Sequence, residues 1–171
     1  KQNMKPELYV KKYAPHAKKV EQKTGISAVA ILTQGALESA WGAVAPGNMI
    51  FGIKDTDGVN GNEQLITTTE YTRSARNPMP VPISSTPVVR RGVKMFKHKG
   101  KDYFRKYATP EDSFNDHAQF FFKNKRYAKA LEVRGDYNKF FEEIAKAGYA
   151  TAPDYADTLK AVAKNIVKHL N

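Results

Sequence analysis

Residues 26–42 read Ile26-Ser27-Ala28-Val29-Ala30-Ile31-Leu32-Thr33-Gln34-Gly35-Ala36-Leu37-Glu38-Ser39-Ala40-Trp41-Gly42. Ser27 is an N-cap residue by type, its hydroxyl able to accept from the first free N–H groups of a helix. Apolar residues then continue on nearly every side, so the stretch predicts a helix from Ser27 to about Trp41 or Gly42. A helix apolar all round lies at the centre of its domain and touches neighbours on several sides. The fold is therefore expected to be built around this segment, with other helices covering it.

Glu38 is the only charged side chain between Gly25 and Lys54. It falls near the C-terminal end of the apolar helix, where desolvation and the negative end of the helix dipole both raise a carboxyl pKa. A carboxyl still protonated near neutrality is what a general acid requires; a Glu hydrogen-bonded inside a core network has the same sequence signature. Gln34, Glu38 and Trp41 follow at spacings that put them on one helical face. An amide, an acid and an indole together suit a carbohydrate, which has an apolar ring face and many hydroxyls. Trp41 alone suits core packing equally.

Outward from this centre, Glu7 to Lys23 carries Leu8, Tyr13, Ala17 and Val20 between lysines, an amphipathic helix that Pro15 is placed to bend or divide, stopped at Thr24-Gly25. Gly42 to Asn62 turns repeatedly on its glycines. Glu63 to Thr72, EQLITTTEYT, reads as a strand entered through an Asn60-Gly61 turn. Val88–Lys97 and Lys101–Tyr107 read as two more strands joined around Lys99-Gly100, and Arg73 to Pro87, rich in proline, reads as an extended loop rimming a cleft. Helices return at Thr109-Pro110, at Asp136 and at Pro153, the last with Tyr155, Leu159, Val162 and Ile166 on one face. The expected class is α+β, with a mainly helical body and a small antiparallel sheet.

With 171 residues, 41% hydrophobic and 26% charged, the chain is a globular domain, read as a single domain over 1–171, and not a disordered or collagen-like one. It has no Cys, which excludes disulfides and a Cys nucleophile. The net charge of +11 favours a polyanionic partner, nucleic acid or bacterial cell wall. No apolar run is long enough to span a bilayer. Lys1-Gln2-Asn3-Met4 lacks the apolar core of an export signal and reads as a mature or excised end.

The run Gln34 to Gly42 with Asn48-Met49-Ile50-Phe51-Gly52-Ile53-Lys54 resembles the signature of glycoside hydrolase family 73, the glucosaminidases of autolysins, flagellar wall-cutting proteins and phage lysins. The likeness continues through Thr69-Glu70-Tyr71, Phe104-Arg105-Lys106-Tyr107, Glu111-Asp112-Ser113-Phe114, Arg126-Tyr127-Ala128 and Ala147-Gly148-Tyr149-Ala150-Thr151 to Tyr155-Ala156. It implies a lysozyme-like fold whose β lobe flanks the active cleft, and cleavage of N-acetylglucosaminyl bonds in peptidoglycan. It matches Glu38 to the catalytic acid and Glu70 to a second carboxylate, acting as base, as electrostatic support, or as a supporting group when the substrate's acetamido group is the nucleophile. Gln34, Trp41, Phe51, Tyr127 and Tyr149 become the expected substrate-binding residues. The resemblance further implies a monomer without cofactor, working outside the cell, in the periplasm or at the wall on peptidoglycan glycan strands. Met49-Ile50 and the long Asn77–Pro87 stretch depart from the family pattern.

Two rivals remain at this level: a lytic transglycosylase, and a non-catalytic module binding wall or nucleic acid. The latter rests on Lys94, Lys97, Lys99, Lys101, Arg105 and Lys106 interleaved with Phe96, Tyr103, Phe104 and Tyr107. Strand alternation sorts lysines outward and aromatics inward, a basic sheet over an ordinary core, so no nucleic acid is expected. Asp55, Asp57, Asn60, Asn62 and Glu63 fail the EF-hand spacing, and His16, His98, His117 and His169 show no metal-ligand spacing, so no metal is expected.

Overall fold

The computed structural model describes residues 5–56 and 61–170. These divide into two compact units, a helical one that runs through Phe51 and resumes at Tyr107, and a sheet unit, Gly52–Lys106. Asp57, Asn60 and the Asn60-Gly61 turn signal involve positions outside the described residues.

The helical unit contains α1 (Pro6–Thr24), α2 (Ala28–Glu38), α3 (Pro110–Lys123), the short α4 (Ala128–Glu132), α5 (Tyr137–Lys146) and α6 (Tyr155–Lys168). α1 runs through Pro15 undivided and closes on left-handed Gly25. α2 is capped by Ser27 and buried along nearly its whole length, packing against α1, α3, α5 and α6 as an all-apolar helix requires. Thr109 and Asp136 cap α3 and α5 through their side chains. Tyr9, Tyr13, Val20, Ile31, Leu32, Phe114, Phe121, Phe140, Ile144, Leu159 and Ile166 make the core. None of the described helices is long and apolar enough to cross a membrane.

The expected end of α2 is corrected. The helix stops at Glu38, and Ala40, Trp41 and Gly42 turn left-handed with φ of 50°, 57° and 81°. Ser39 makes this possible. Its hydroxyl donates to Gly35 O at 2.6 Å and accepts from Gly42 N at 2.9 Å, so the chain leaves the helix with its polar groups satisfied. Trp41 is thus off the helical face that carries Gln34 and Glu38.

The sheet unit is a three-stranded antiparallel sheet in the order β1-β3-β2, with β1 Glu63–Thr72, β2 Val81–Arg90 and β3 Val93–Arg105. Two expectations fail here. The proline-rich segment is not all loop, since β2 begins at Val81. It is an edge strand, where Pro82 and Pro87 need not donate to a second neighbour, and a register shift between Pro82 and Ser84 absorbs the irregularity. The proposed turn at Lys99-Gly100 is the middle of β3, while the real hairpin turn, Arg91-Gly92, interrupts the expected Val88–Lys97 strand with φ of 51° and 76°. Gly100 answers to close approach: a Cβ there would lie 2.7 Å from Val81 O. Buried His98 ties the three strands, with Nδ1 2.7 Å from Ser85 Oγ and Nε2 2.8 Å from Thr72 Oγ1. The alternation holds in part: Lys97, Lys99 and Lys101 are exposed and Phe104 is buried, but Tyr103 is exposed on the lysine face.

Candidate active site

In the helical unit the candidate site is built around the last turn of α2. Glu38 ends the helix, and its side chain reaches the surface. Enough protein surrounds it that burial raises its carboxyl pKa above the ordinary value. Among the described residues it has no ion-pair partner. Its negative charge is felt by two phenols, Tyr149 and Tyr155, both pushed up chiefly by burial, Tyr155 to about 12.

Tyr149 reaches this place because α5 ends in left-handed Gly148, with φ of 83°, and Tyr149 N folds back to bond Ile144 O at 3.0 Å. Its ring stacks on Tyr155 at 5.6 Å and 18°. Tyr127 packs beside Tyr149 and Phe121, with ring centroids 6.2 Å and 5.1 Å away. Tyr127 is fully buried, and its hydroxyl has no hydrogen-bond partner among the described residues. A buried hydroxyl left without a partner costs about 1–3 kcal/mol.

Gln34, one turn before Glu38, is only 2% exposed, with both ends of its amide engaged: Oε1 lies 2.9 Å from His117 Nε2, and Nε2 donates to Tyr155 Oη at 3.2 Å. Phe51 is also buried, stacked flat on His117 at 3.7 Å and 7°. Burial pushes the His117 pKa down to about 3, so its ring is neutral. Trp41 is half-buried and meets Tyr9 edge-on at 5.6 Å. Gln34, Glu38, Tyr127 and Tyr149 therefore belong to one neighbourhood, with Phe51 a layer behind. Two members are not among the site residues expected from the sequence, His117 and Tyr155. His117 falls on the apolar face of α3 three residues after Phe114, and Tyr155 closes the family-like run.

In the sheet unit, Glu70 lies on β1 opposite His98 of β3. Its Oε1 is paired with Lys54 Nζ, which also reaches Asp102 Oδ2 at 3.2 Å. The Glu70 hydrogen bond is the main reason that the Lys54 pKa is raised. No group of His, Asp or Glu suited to hold a metal occurs among the described residues.

The family model described as Glucosaminidase, mannosyl-glycoprotein endo-β-N-acetylglucosaminidase, matches residues 14–168. The chain is 34% identical over 167 residues to the peptidoglycan hydrolase FlgJ of Vibrio parahaemolyticus, covering 94% of this chain and 47% of that protein. It is 29% identical over 164 residues to the exo-glucosaminidase LytG of Bacillus subtilis, covering 91% and 50%. The chain thus spans about half the length of these curated relatives. A C-terminally truncated glycoside hydrolase domain of Salmonella typhimurium FlgJ matches with a TM-score of 0.71 at 25% identity, covering 96% of this chain and 99% of that one. The catalytic domain of the autolysin Auto from Listeria monocytogenes, 19% identical, shares the fold with a TM-score of 0.70 over 99% and 89%. The α+β, lysozyme-like fold expected from the sequence is the fold of the chain.

Proposed function

The chain belongs to the glucosaminidase family of glycoside hydrolases, and from that premise we propose that it hydrolyses N-acetylglucosaminyl β-1,4 bonds of peptidoglycan. In this reading Glu38 is the general acid and Glu70 the base or electrostatic partner. One observation carries it: an isolated carboxyl ends an apolar helix, is raised by burial, and faces phenols rather than cations. Such a group holds its proton until the glycosidic oxygen takes it, which is the acid's part in glycoside cleavage. Glu70 has one oxygen on Lys54, which leaves Oε2 to orient a water or to support the oxocarbenium-like transition state. Tyr149 and Trp41, both partly exposed, give the sugar hydroxyl and ring-face contacts, while buried Gln34, Phe51 and Tyr127 act from behind. The likeness to FlgJ and LytG, named for peptidoglycan hydrolysis and glucosaminidase activity, supports the substrate class and a site of action at the cell wall.

The test is mass spectrometry of fragments released from purified peptidoglycan, with and without borohydride reduction. Wild-type protein should leave reducible N-acetylglucosamine ends, and Glu38→Gln should lower turnover by about 10²- to 10⁴-fold while the protein stays folded. Near wild-type turnover in that variant removes Glu38 as the acid. Anhydro ends, with Glu70→Gln fully active, identify a lytic transglycosylase.

A further inference from the structure

The hydrogen bonds around Gln34 run in one direction. Its carbonyl oxygen, which can only accept, faces His117 Nε2 at 2.9 Å, so Nε2 carries the imidazole proton. Its amide nitrogen, which can only donate, faces Tyr155 Oη at 3.2 Å, so the phenol oxygen accepts. The Tyr155 proton therefore points away from Gln34. The His117 ring that makes this contact is buried, neutral and stacked flat on Phe51. Reversing the amide would move the imidazole proton to Nδ1.

Glu38 lies one helical turn beyond Gln34 on the same face of α2, and the phenol of Tyr155, seated on the Gln34 amide, is near enough to feel the Glu38 charge. We propose that Tyr155 is a positioning residue for Glu38: its hydroxyl donates to the Glu38 carboxylate as that group gives up its proton, and His117, acting through Gln34, sets the direction of that bond. No proton passes along the chain. Glu38 transfers its own proton to the glycosidic oxygen, and Tyr155 keeps its proton while bonding the carboxylate left behind.

Among the described residues, the elements packed on α2 offer Glu38 no competing charge, and burial is the one cause that raises its pKa. On α1, Tyr9 donates to Leu32 O at 2.7 Å and feels Tyr13; on α3, His117 is engaged by Gln34; on α5, Glu142 feels Lys160, Lys146 and Asp136. Tyr149 feels Glu38, as Tyr155 does, but it has no amide to orient its hydroxyl.

This inference rests on Glu38 being the acid, and the experiment separates the two. Profiles of kcat/KM against pH are measured on peptidoglycan for wild type, Tyr155→Phe, His117→Leu, His117→Gln and Glu38→Gln. Tyr155→Phe keeps the ring stacked on Tyr149 and deletes one oxygen. A carboxylate deprived of a donor holds its proton harder, so the alkaline limb should move up by about one pH unit, and kcat should fall about tenfold. His117→Leu should move the limb the same way, and His117→Gln, which again gives Gln34 a donor, should bring it back. The double variant Tyr155→Phe/His117→Leu should go no further than Tyr155→Phe. An alkaline limb unmoved in Tyr155→Phe overturns the inference, as does a double variant in which the shifts add. If Glu38→Gln stays active, the acid assignment itself falls; if it is inactive while the Tyr155→Phe limb stays put, only the inference falls. Tyr155→Phe decides alone should His117→Leu not fold.

Discussion

A neutral imidazole under Phe51 and against Gln34 has a consequence for stability. The His117 pKa is near 3 in the folded chain and near the ordinary 6.5 when unfolded. Between these values the unfolded chain binds a proton that the folded chain refuses, so stability falls as the pH falls from 6.5 and levels off only near 3. The slope is about 1.4 kcal/mol per pH unit, so from about pH 7 to pH 5 wild type should lose about 2 kcal/mol more than His117→Gln. Denaturant unfolding at the two pH values measures this, and the difference between the proteins isolates His117 from the other titrating groups. Equal losses would mean that the ring is not buried neutral. The proposed acid, Glu38, stands out in the sequence because charge is absent around it. His117 and Tyr155 do not, since a buried His and a helix tyrosine look in sequence like ordinary core. Only the fold shows that α3 and α6 bring them to the same amide.

At the scale of elements, helices were easier to read than strands, for a local reason. Caps such as Ser27, Thr109 and Asp136 and a 3.6-residue apolar period sit within each helix's own sequence. α2 was misread only at its end, where Ser39 side-chain bonds let Ala40 and Trp41 turn left-handed, a conformation that non-glycine residues adopt at a cost. β2 was misread because its prolines are tolerated only by virtue of an edge position, and position in the sheet is a property of the pairing. Gly100 was misread for a related reason: it marks a close approach of neighbouring backbone, not a turn. Gly100→Ala would put a methyl 2.7 Å from Val81 O and 2.9 Å from Met79 Sδ, with backbone on one side unable to swing away. We expect a loss of about 1–3 kcal/mol, read as a lower denaturation midpoint. A midpoint equal to wild type would show that β2 can shift to make room.

The molecule as a whole carries a net charge of +11, and this sets how it should meet its substrate. The charge is not all taken up in ion pairs: Lys97, Lys99 and Lys101 line the exposed face of β3 at alternate positions, with no ion pair among the described residues. Peptidoglycan as proposed here is a polymer with carboxylates on its peptide stems, so long-range attraction should speed encounter without entering the chemical step. Such attraction is screened: the Debye length falls from about 30 Å at 0.01 M ionic strength to about 8 Å at 0.15 M. Digestion of intact peptidoglycan at low substrate should therefore slow over that range, while cleavage of an uncharged N-acetylglucosamine oligomer that the enzyme accepts should hardly change. The chemistry is the same in both arms, so the contrast isolates encounter from catalysis. If both substrates slow together, salt is acting on the site or the fold. If neither slows, the net charge plays no part in finding the wall.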